Sequence, residues 1–132
     1  QVLTRLQRRE YYRLRVPADR AFPCQVTVES ADPLAEPRRY SLTAYDLSCG
    51  GIALTGYPPS LGPARGTIYR GARLVLPDLP AVTADLEVVH VQSAGGPEPA
   101  RFGCRFIAAS DGAQTLVQRF IHRVEREMRT RW

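Results

Sequence analysis

The chain has 132 residues, 44% of them hydrophobic and 23% charged, with a net charge of +5. These values fit one folded domain with its own core and exclude a disordered or collagen-like chain. No apolar run approaches the ~20 residues a bilayer requires, so membrane insertion is not expected, and no secretory leader is evident.

The opening QVLTRLQRREYYRLR carries Arg5, Arg8, Arg9, Arg13 and Arg15 around Tyr11 and Tyr12. So dense a like charge gains nothing from folding unless an anion arrives. AFPCQVTVES then alternates: Phe22, Cys24, Val26 and Val28 point one way, and Gln25, Thr27 and Glu29 the other. That period predicts a half-buried strand. ADPLAEPRR, with two prolines, reads as a loop. RYSLTAYDL reads as a second strand and GIALTG as a third, with the doublet Gly50-Gly51 marking a tight reversal between them. YPPSLGPARG is a Pro/Gly loop. ARLVLP, VTADLEVVHVQ and RFGCRFI are three further predicted strands, separated by PDLP and SAGGPEP.

The last segment changes period. In AQTLVQRFIHRVEREMRTRW the apolar positions Leu116, Val117, Phe120, Ile121, Val124 and Met128 form one helical stripe. Asp111 with Gln114 resembles a capping box, and Arg119, Arg123, Glu125, Arg126 and Arg129 read as a solvated face. About six short strands before one terminal helix imply an antiparallel barrel or sandwich that the helix covers.

Catalysis finds little support. DLSCGG is not a nucleophile elbow, GPARGT lacks the lysine of a phosphate loop, and His90 and His122 stand isolated. Cys24, Cys49 and Cys104 are odd in number and far apart, suggesting neither a disulfide framework nor a metal site, and free thiols fit a reducing cytoplasm. All eighteen basic residues are arginine, a planar fork suited to phosphate and guanine. Asp46 can accept from guanine N1–H and N2–H, Ser48 can donate or accept, and Gly51 lets a flat ligand approach the backbone. Together these groups suit a phosphate-bearing guanine nucleotide, with nothing placed to hydrolyse it.

Arg9-x-x-x-Arg13 followed by Asp46-x-Ser48-x-x-Gly51 resembles the PilZ domain, a family that binds the bacterial second messenger cyclic di-GMP. GIAL, VLPDLPAVTADLEVVHV and FGCRF are similar to its later strands. LQRREYYRL and VQRFIHRVERE look like its flagellar brake branch. The resemblance implies a six-stranded antiparallel β-barrel with a C-terminal α-helix. It divides the chain into a basic arm over 1–20, the barrel over 21–109 and the helix over 110–132.

It also implies that Arg8, Arg9, Arg13, Asp46, Ser48 and Gly51 bind cyclic di-GMP without a metal. An arginine at position 8 goes, in this family, with two stacked ligands per chain. The implied mechanism is an arm that is mobile alone and fixed on the barrel by ligand. The implied partners are flagellar motor proteins and an N-terminal domain ahead of residue 1, in the cytoplasm and at the flagellar basal body. Two rivals stay open. One is a nucleic-acid-binding barrel, which the arginines favour but which leaves Asp46 and Ser48 unexplained, so no nucleic acid is expected. The other is a PilZ-like interaction module without ligand.

Overall fold

The computed structural model describes residues 13–130. Its strands are β1 (Leu14–Arg15), β2 (Pro23–Val28), β3 (Arg38–Ser48), β4 (Gly51–Thr55), β5 (Ile68–Leu74), β6 (Val82–Gln92) and β7 (Arg101–Ala109), followed by helix α1 (Ala113–Thr130). All pairings are antiparallel. The order β3-β2-β5-β6-β7-β4 closes through an additional β3–β4 pairing, which makes a six-stranded barrel. β3 is long enough for two partners on one edge: its first half pairs with β2, and Asp46 and Leu47 pair with β1.

Alternation placed the inward side chains of the β2 stretch, except that Val28 is only half-buried, and β6, expected as a strand, alternates in the same way. Phe22, Cys24 and Val26, and Val82, Ala84, Leu86 and Val88, are all buried. β5 differs from expectation, beginning at Ile68 rather than Ala72. A bulge shifts its register between Tyr69 and Ala72, so both of these residues are buried and the period of two is broken. Gly71 supplies the left-handed turn of that bulge, with φ 65°.

Helix α1 plugs the barrel with Ala113, Val117, Phe120, Ile121 and Val124. Phe120 meets Phe22 edge-on at 5.1 Å between ring centres, a geometry that adds about 1 kcal/mol to the area buried. Arg20 donates to Glu127 at 2.7 Å and ties the helix to the turn after β1. Met128, expected in the apolar stripe, is 38% exposed. The helix starts with Leu116 N–H donating to the Gly112 carbonyl, so Gly112 rather than Asp111 stands at its boundary.

Candidate functional site

Cross-strand register assembles the site from four strands. Asp46 of β3 pairs with Ala53 of β4, Ala53 with Gly103 of β7, and Gly103 with His90 of β6. The next row runs Ser48, Gly51, Arg105, Glu87. Side chains along each row share a face of the sheet. Three of the four middle positions are Ala53, Gly103 and Gly51, so the two rows form a trough, with Arg105 at its bank. The result is a cleft of about 220 Å³, with Arg13 entering from the start of the described chain.

Four residues named from the sequence meet here: Arg13, Asp46, Ser48 and Gly51. Arg8 and Arg9, with Tyr11 and Tyr12, lie outside the described residues. Arg13 reaches Asp46 at 3.9 Å, its own side chain 64% exposed and that of Asp46 16%. An ion pair this long and wet contributes at most about 1 kcal/mol, so another anion can displace it cheaply. Leu14 and Val16 are buried on either side of Arg15. They root the end of the basic segment in the core and turn Arg13 and Arg15 outward.

Ser48 is the one buried polar residue among those described, and its hydroxyl accepts the Gly50 N–H at 3.1 Å. The hydroxyl thus braces the β3–β4 turn and keeps its own hydrogen to donate. The two glycines at the turn do not act through backbone freedom, since neither has a positive φ. A Cβ on Gly51 would instead collide with the Cys104 carbonyl oxygen of β7. Strand spacing, in addition to any ligand, therefore demands glycine at that position.

Sequence reasoning missed His90 and Arg105. The imidazole of His90 fills the space a Cβ on Gly103 would take, so it lies along the trough floor. A register shift between Val88 and His90 directs it there. Arg105 donates from Nε to Glu87 at 2.6 Å, which holds its guanidinium at the bank of the cleft. Only alternation along RFGCRFI pointed to Arg105 as outward-facing, and nothing local signalled His90.

Beside the cleft, the guanidiniums of Arg15 and Arg101 lie over the Tyr45 ring, 3.8 and 4.9 Å from its centre. The Tyr45 hydroxyl donates to Glu98. That bond, with Arg15 and Arg101 nearby, holds the Glu98 carboxyl below the ordinary carboxylate range. The same bond, with burial, pushes the Tyr45 phenol up. Inside the barrel, burial pushes the Cys24 and Cys104 thiols up to about 12, which leaves them inert. Among the described residues no cluster of His, Cys, Asp or Glu could hold a metal ion, and no helix is long and apolar enough to cross a membrane.

Comparison with known proteins supplies the class. The PilZ domain model matches residues 7–123, and the chain belongs to that family. The PilZ domain is not an enzyme family. More particularly, the chain is 34% identical to the flagellar brake protein YcgR of Thiobacillus denitrificans, over 98% of this chain and 51% of that protein. The chain spans about half the length of the curated relatives it matches. Two solved structures share the fold. The PilZ domain of Escherichia coli YcgR with c-di-GMP superposes with a TM-score of 0.66 at 24% identity, covering 95% of this chain and 97% of that one. The K. pneumonia MrkH–c-di-GMP complex gives 0.75 at 22%, covering 96% and 56%.

Proposed function

We propose that the chain is a cyclic di-GMP receptor domain of a flagellar brake protein, acting in the cytoplasm on the motor at the flagellar basal body. One observation carries this reading: Arg13 and the sequence-distant group Asp46, Ser48 and Gly51 line a single cleft. The relatives called flagellar brake proteins, and the c-di-GMP held by solved PilZ neighbours, support it.

In this mechanism the Asp46 carboxylate accepts guanine N1–H and N2–H, and Ser48 donates its free hydrogen. Arg13 leaves Asp46 for the ligand's phosphate, where a charge-assisted fork is stronger than the long ion pair it gives up. The imidazole of His90 offers a flat face to the base over the Gly103 floor. Arg8 and Arg9 close from the basic segment. Without ligand their charges repel; with it the phosphates offset that repulsion and fix the segment against the barrel, changing how neighbouring domains and motor proteins dock. The third guanidinium at Arg8 neutralises and stacks a second ligand molecule.

Titration calorimetry of the chain with cyclic di-GMP decides the matter. The expected result is binding that Arg13→Ala weakens by about 1.5–3 kcal/mol, roughly 10–150-fold, with two ligands per chain falling to one in Arg8→Ala. Equal affinity of wild type and Arg13→Ala would overturn the site assignment. One ligand per wild-type chain would remove the stacked pair.

A further inference from the structure

The barrel wall opposite the cleft carries a second concave polar surface. In the ring β3-β2-β5-β6-β7-β4, the β2–β5 pair stands across from the β7–β4 pair that floors the cleft. On this opposite wall Gln25 pairs with both Ser41 of β3 and Arg73 of β5, and Thr27 pairs with Arg39 in the next row. The β5 bulge places Gly71 where a side chain would otherwise stand, and its N–H turns away to Asp85 at 2.8 Å. A hollow of about 370 Å³ results, and no carboxylate among the described residues lines it.

The arginines of this hollow differ from two others on the barrel, Arg70 and Arg105, and share with Arg38 the lack of an ion-pair partner among the described residues. Arg70 is paired with Asp85 at 3.5 Å, and Arg105 with Glu87 at 2.6 Å. Arg39 and Arg73 are exposed and, among the described residues, have no ion-pair partner. Both sit on paired strands, so their spacing is fixed before anything binds.

We infer that this groove is a docking surface for an acidic segment of another protein. Carboxylates on the partner offset the repulsion between Arg39 and Arg73 and gain the bidentate bonds that guanidinium forks favour. Gln25, Thr27 and Ser41 lie between the two forks and offer neutral hydrogen bonds to the partner's backbone. Nucleic acid fits less well. A bound single strand wants aromatic platforms for its bases, and the one aromatic ring here, Tyr40, packs partly against the core. β3 runs past both surfaces, with Arg39 and Ser41 toward one end and Asp46 and Ser48 at the other. The two sites are thus separate, and the inference stands whether or not the cleft binds cyclic di-GMP.

The probe is a fluorescein-labelled oligoglutamate peptide, followed by polarisation and by amide chemical-shift mapping of the whole chain. The expected result is saturable binding, weakened at least about tenfold in Arg39→Ala/Arg73→Ala and unchanged in Arg119→Ala/Arg123→Ala. The second variant removes the same charge from α1, at exposed Arg119 and half-buried Arg123. Shifts should centre on β2, β3 and β5. All four arginines lie outside the core, so thermal melts should show every variant folded. No binding, an equal loss in the helix variant, or shifts centred on the basic segment or on α1 would overturn the proposal. Tighter binding of a short DNA duplex than of the peptide in the same groove would also overturn it, in favour of nucleic acid.

Discussion

The two walls of the barrel solve opposite problems with the same strand geometry. The β4–β7 wall is stripped to Gly51, Ala53 and Gly103, so its floor is largely backbone and its polar groups stand at the banks. The β2–β5 wall keeps its side chains and projects arginine and glutamine from the middle of the sheet. A bare floor admits something flat that slides close; a studded one meets a counter-surface from outside. Residue size at the row centres, more than net charge, separates the two.

The bare wall can be broken most severely at Gly51. Gly51→Ala forces a methyl group onto the Cys104 carbonyl, which is backbone and cannot swing aside. A loss of about 3 kcal/mol is expected, read from chemical denaturation. Gly103→Ala meets only the movable His90 ring and should lose about 1 kcal/mol. If the two variants were equally stable, the distinction between a backbone obstacle and a side-chain obstacle would be lost.

A smaller effect sharpens what the bare wall is for. His90→Ala should weaken cyclic di-GMP by about 1 kcal/mol, roughly fivefold, and His90→Phe should restore most of it, because a flat ring is what the floor lacks. Unchanged calorimetric affinity in His90→Ala would reduce the imidazole to a filler over Gly103.

The smallest effect lies at the edge of the cleft. Glu98 titrates below the ordinary carboxylate range because its charged form is held by Tyr45 and the two arginines. Its contribution to stability is therefore complete above the carboxyl's unfolded pKa and is lost as pH falls through the lowered folded value. Glu98→Gln should melt below wild type at neutral pH, and the gap should close as the solution is acidified through that range. A gap independent of pH would mean that the charge on Glu98 plays no part.

How far the sequence could be read followed from where its periods hold. β2 and β6 alternate cleanly through their buried stretches and were legible. The start of β5 was not, because the bulge at Gly71 buries Tyr69 and Ala72 on the same side. β1 was hidden inside what reads as a basic arm, where Leu14 and Val16 alternate with arginines over too few residues to set a period.

That Arg13, Asp46, Ser48 and Gly51 would come together in one cleft was legible because motif spacing survives in one dimension. His90 and Gly103 were not, since their meeting depends on the β6–β7 register and on a bulge that no local pattern announces. For Gly51 the sequence suggested close approach by a ligand; that the Cys104 carbonyl of the neighbouring strand comes close was not legible.

The burial of Leu14 immediately after Arg13 sets the phase of Arg13. A strand presents alternate residues to alternate faces, so one added residue between these two would swing the guanidinium off the Asp46 side while leaving the barrel intact. The joint between the barrel and whatever precedes it behaves like a keyed coupling, with the key cut at a single leucine.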